Sequence, residues 1–94
     1  MSVQERRLQD LISIGPAMLR DFELLGIRSV KQLARQNPTR LYHKLSRIMG
    51  QRIDVCCQDV FHAAVAQARN PLLPAEQCQW WYYSRQRKAR DARG

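Results

Sequence analysis

No run in this 94-residue chain approaches the about 18 consecutive apolar residues that a membrane-spanning helix requires, so no bilayer span is expected. The opening Met1-Ser2-Val3-Gln4-Glu5-Arg6-Arg7 leads into no hydrophobic signal region, and no secretion leader is expected either. Cysteine is scarce: three residues, two of them adjacent, with no C-x-x-C pair. That pattern excludes a disulfide framework and the usual zinc-ligand spacings, and it suits a reduced, cytoplasmic protein. Neighbouring helix residues point about 100° apart, so Cys56 and Cys57 cannot easily share a metal. With Cys78 they read as buried structural cysteines, while His43 and His62 read as surface residues. Asp54 and Asp59, five residues apart, do not share a helix face, which argues against paired carboxylates for a nuclease metal. No nucleophile has an obvious base partner. Neither enzymatic activity nor a metal or cofactor is expected.

Negative charge is missing from the middle of the chain. Between Gly26 and Ile53 there are seven basic residues and no acid, within a formal net charge of +8. Solvated faces usually mix signs, so this segregation favours a polyanionic partner over a merely soluble basic surface. Aromatics are also few, and four of the seven are consecutive, Trp80 to Tyr83.

What is present is the composition of one small globular domain, 45% apolar and 26% charged. The chain is organised around Leu11-Ile12-Ser13-Ile14-Gly15-Pro16, which reads as a helix end, a tight turn and a proline opening the next helix. Gly15 tolerates positive φ, and Pro16 has its φ preset for a first helical position. Such a turn leaves the next helix's first N–H groups facing outward with the helix dipole behind them, a ready place for a phosphate. The plainer alternative is a turn that only closes a bundle.

Ser2 with Glu5 forms a capping-box pattern and predicts a first helix from near Val3, with Leu8, Leu11 and Ile12 on one stripe. A second helix runs from Pro16 to Gly26, and a short third starts at the Ser29/Gln32 capping box. Asn37 caps a fourth, opened by Pro38 and closed by Gly50. Its apolar stripe is Leu41, Leu45 and Ile48, and beside it Arg40, Lys44 and Arg47 repeat the same spacing. Shifting the chain by 22 residues aligns Leu8 with Val30, Leu11 with Leu33, Gly15 with Asn37 and Pro16 with Pro38, an echo expected of two helix–turn–helix units. The fifth helix, near Asp54 to Arg69, is the most apolar and should sit at the centre, with a polar strip of Asp54, Gln58, His62 and Arg69. Trp80 to Tyr83 reads as a lid with side chains alternating in and out, or as a stacking surface for bases. The tail after Ser84 is expected to be disordered and basic.

The run from Leu11 to Leu33 resembles helix-hairpin-helix proteins. With Asn37-Pro38, Leu41-Tyr42, Gly50-Gln51-Arg52-Ile53-Asp54 and the Trp80-Trp81 pair, it is similar to the small pathogenicity locus family, often labelled mitomycin resistance proteins. It also looks like the C-terminal domains of TfoX-type competence regulators. The resemblance covers roughly residues 8–83 and implies an all-helical double helix-hairpin-helix domain. With the helices read above, the expected fold is an all-α, five-helix compact domain (residues 1–83) on a degenerate, SAM-like form of that arrangement, with an aromatic C-terminal segment and a basic tail (residues 84–94). Such domains grip DNA without sequence preference. Their turns generally read glycine–hydrophobe–glycine, and here Ser13 stands in the first glycine's place.

The expected function is a non-enzymatic DNA-binding module. Backbone N–H groups of the turn, from Ile14 and Gly15 through Ala17 and Met18, hold one phosphate with Arg20 close by, and Lys31, Arg40, Lys44 and Arg47 neutralise others. The rival is a protein-interaction adaptor on the same scaffold, and RNA is a third possible partner.

Overall fold

Proline and glycine set both boundaries of two helices. The computed structural model describes residues 6–93, and among them lie five α-helices: α1 (Pro16–Leu25), α2 (Val30–Ala34), α3 (Pro38–Met49), α4 (Cys56–Arg69) and α5 (Trp80–Arg93). Pro16 and Pro38 occupy the first turns of α1 and α3. Gly26 and Gly50 end the same two helices at φ 77° and 70°, the left-handed region that glycine enters without a Cβ penalty. In each case the glycine N–H and the following N–H turn back onto the last helical carbonyls, closing the end in a Schellman pattern.

The helix predicted from Val3 has its capping residues outside the described region. What is described is a single 3-10 turn, Leu8–Asp10, after which Leu11 is extended. Leu8 and Leu11 are buried as the stripe requires, but Ile12 is 41% exposed. The count of five helices therefore agrees for a different reason, because the C-terminal segment is helical.

Helix α4 is central, as its composition predicts. It packs against α2, α3 and α5, and its alanines Ala63, Ala64 and Ala68 let neighbouring backbones come close. Phe61 meets Phe22 of α1 with ring centroids 6.1 Å apart, both rings fully buried beside Leu33. On α3 the buried residues are Leu41, Tyr42 and Leu45, whereas Ile48, expected on the stripe, is 45% exposed. Tyr42 takes its place, donating its hydroxyl to the Ile53 carbonyl at 2.6 Å.

The C-terminal segment differs most from expectation. Trp80–Arg93 is one helix, neither an alternating lid nor, past Ser84, an unstructured tail. It still covers the core, because helical spacing turns Ser84 and Arg87 toward α4. There Arg87 meets Asp59 through its Nε and a terminal nitrogen, the latter at 3.0 Å. Covering α4 also takes His62 partly out of solvent. It is half-buried, its ring stacked on Tyr83 at 6.0 Å.

Candidate nucleic-acid interface

The turn from Leu11 to Gly15 is pinned from inside. Gln67 of α4, 4% exposed, accepts the Ile12 N–H at 2.8 Å and donates to the Ile12 carbonyl at 2.9 Å. The same amide nitrogen reaches the Cys78 carbonyl at 3.4 Å. On the outer side the Ser13 hydroxyl donates to the Gln79 side-chain oxygen at 2.9 Å. The left-handed residue of this turn is Ser13, at φ 70°, and Gly15 is extended at φ −100°, ψ −176°. The positive φ expected at Gly15 thus falls two residues earlier, where the resemblance puts a glycine and this chain carries a β-carbon.

Gly15 is the N-cap of α1, is exposed, and makes no side-chain cap bond. A Cβ placed there would meet nothing within 4 Å. The Gly15 carbonyl starts the helix ladder by accepting from Leu19, while the Gly15, Ala17 and Met18 N–H groups have no partner among the described residues. Ile14 is different. Its N–H turns back to the Leu11 carbonyl at 3.4 Å, and its side chain, like that of Met18, packs half-buried against the core. The donors at this edge are therefore Gly15, Ala17 and Met18, and Ile14 acts as an anchor for the turn.

The echoed turn before α3 has a different electrostatic character. Asn37 Oδ1 accepts the Thr39 and Arg40 N–H groups at 2.9 and 3.1 Å, so the side chain already occupies the donors that α1 leaves open. Like Gly15, Asn37 has a negative φ. At α2 the Ser29 hydroxyl caps the Gln32 N–H as predicted, but the Gln32 side chain answers to the Arg28 N–H and the Gly26 carbonyl instead of to Ser29.

Arg40, Lys44 and Arg47 are exposed on α3 and, with His43, line one shallow concavity. Arg47 and His43 continue into a second hollow with Gln51 and Arg52. Arg20 on α1 and Lys31 on α2 are exposed but line neither of these two hollows. Among the described residues the direct ion pairs involve Arg7 and Arg87, so none of these five cations is in a direct ion pair there. Arg69, on the predicted polar strip, serves the fold by capping the end of α2, where it donates to the Ala34 and Gln36 carbonyls.

The Asp54 carboxyl is held below the usual range by hydrogen bonding from Cys56, whose N–H it caps. The thiols are all pushed up, Cys56 by the Asp54 carboxylate and Cys57 and Cys78 by burial, which disfavours thiolate. Sequence reasoning missed Gln67, Gln79 and the Asp59–Arg87 pair. Asp59 and Gln67 carry the signal that could have found two of them, being polar residues on the apolar face of the most apolar helix.

A family model described as pathogenicity locus matches residues 2–89. The chain is 40% identical over 81 residues to the mitomycin resistance protein McrB of Streptomyces lavendulae, across 86% of this chain and 73% of that relative. No solved structure matches it. The chain belongs to the pathogenicity locus family.

Proposed function

We propose that this member of the pathogenicity locus family is a non-enzymatic module that grips DNA without reading its sequence. In this reading the turn before α1 and the turn before α3 form a degenerate double helix-hairpin-helix. Only the first keeps its phosphate-holding donors, and α3 contributes side-chain charge instead. Support for the pairing comes from the contact between α1 and α3 and from their shared proline starts and glycine ends.

The observation that carries the reading is Gly15. Its backbone angles suit any residue, and a Cβ there would touch nothing among the described residues. Beyond glycine's modest preference at an N-cap, no steric feature of the described fold requires glycine at this position. A ligand that approaches the Gly15, Ala17 and Met18 amides closely does, and the helix dipole behind them selects an anion. Arg40, Lys44 and Arg47 supply neutralising charge, with Arg20 and Lys31 beyond the row.

The test is a titration of a labelled DNA duplex at several salt concentrations. About four to six phosphate contacts predict a log–log salt slope of roughly −4 to −5 and a Kd in the ~10⁻⁴–10⁻⁶ M range. Gly15→Val weakens binding, while the melting temperature falls by no more than the few degrees expected for replacing an N-cap glycine by a β-branched residue. A flat salt response overturns the proposal.

A second reading, a protein-interaction adaptor, draws on the adjacent exposed side chains Ile48 and Met49, 45% and 47% accessible. Capture from nuclease-treated extract separates the two, because partners bridged by nucleic acid are lost and true protein partners stay. Competition with RNA of equal length decides between nucleic acids.

A further inference from the structure

Among the four consecutive aromatics, three have partners. Arg85 lies over the Trp81 ring at 4.5 Å, Tyr83 stacks on His62, and Tyr82 meets Tyr83 edge-on at 5.2 Å. Trp80 has no ring or cation partner among the described residues and is 40% exposed. An indole is the largest apolar side chain, and leaving two-fifths of it exposed forgoes part of the burial that would stabilise so small a domain.

Its position is set by the same bonds that hold the Gly15 turn. Gln79, the residue before Trp80, accepts the Ser13 hydroxyl, and Gln67 bridges the Ile12 and Cys78 carbonyls from below. Residues 12–13 and 78–79 are therefore one tied unit. It leads on one strand into the open amides at Gly15 and on the other into the partly exposed indole of Trp80. The helix that begins with Trp80 carries Arg85 and Lys88, both exposed, before its first acid at Asp91. A phosphate donor edge, a partly exposed aromatic ring with no stacking partner among the described residues, and cations in sequence fit a nucleotide whose base is not already stacked in a duplex.

We propose that Trp80 is a stacking platform for an unpaired nucleobase, so that the favoured ligand is single-stranded DNA or a duplex carrying a single-stranded overhang. This rests on the phosphate reading of the Gly15 turn. Stacking on an indole tolerates any base, which agrees with a grip that reads no sequence.

The test uses the full chain with three labelled probes of one length: a single strand, a blunt duplex and a duplex with an overhang. Trp80→Ala lowers affinity for the single strand and the overhang probe about tenfold, within the range for loss of one base–aromatic stack. It leaves the blunt duplex unchanged. Trp80→Phe, which keeps a ring, recovers part of the loss, and melting curves show that both variants fold. Equal losses on all three probes, or no loss on any, overturn the platform while salt-dependent, Gly15-sensitive duplex binding still stands. If no probe binds in a salt-dependent way, the phosphate reading falls and the platform falls with it.

Discussion

Ser13 sits at φ 70°, where a β-carbon crowds the following carbonyl, and its hydroxyl is held by Gln79. Two substitutions separate those effects, because both remove the hydroxyl and only one removes the β-carbon. Ser13→Gly is expected to be more stable than Ser13→Ala by about 1 kcal/mol in urea denaturation, since alanine keeps the backbone strain. Equal stabilities would mean the turn relaxes out of the left-handed region. His62 gives a second residue-scale prediction. Burial under α5 pushes its pKa down, Arg90 adds to this, and Asp59 opposes it. The folded imidazole therefore refuses a proton that the unfolded one accepts below about pH 6.5. Its contribution to stability is complete above that pH and is lost as the pH falls. Melting temperatures at pH 7.5 and 5.5 should show a drop that shrinks in His62→Gln. The same drop in both proteins would assign it to other groups.

At the scale of elements, the helix starts and stops written in local chemistry are legible in the chain. Pro16, Gly26, Ser29, Asn37, Pro38 and Gly50 act on backbone within a few residues of themselves, and they bound α1, α2 and α3 closely. Helix α5 is not legible in that way. Its sequence carries no apolar period, and what holds it is remote: Asp59 is 28 positions from Arg87, and His62 lies across the helix interface from Tyr83. The left-handed Ser13 is equally silent, because the bonds that hold its turn come from remote side chains, Gln67 on α4 and Gln79 before α5. The two cap chemistries lead to a prediction about elements. Asn37→Gly removes the acceptor from the Thr39 and Arg40 N–H groups at a cost of a few tenths of a kcal/mol. Freeing a second amide edge on the basic helix should tighten duplex binding by roughly twofold to fivefold, measured by anisotropy. Weaker binding would show that the α3 amides do not face the ligand.

For the molecule as a whole, the charge surplus is concentrated, and its row on α3 could be read from spacing alone. Arg40, Lys44 and Arg47 do meet at one hollow, while Lys31 and Arg20, chosen by the same logic, line no part of it. Sequence spacing ranks residues along one helix but cannot orient one helix against another. Replacing Arg40, Lys44 and Arg47 together by alanine should reduce the magnitude of the salt slope by about 2–3, at nearly unchanged melting temperature. A slope that stays put would move the electrostatic contact to another face. The buried amide of Gln67 has a wider consequence. Its oxygen faces an N–H and its nitrogen faces two carbonyls, so turning it over would set like against like at every bond. The loop above it therefore seats like a keyed plug, in one orientation only. Whatever docks on the outer edge meets a backbone already rehearsed by the interior, with less ordering left to impose at the moment of contact.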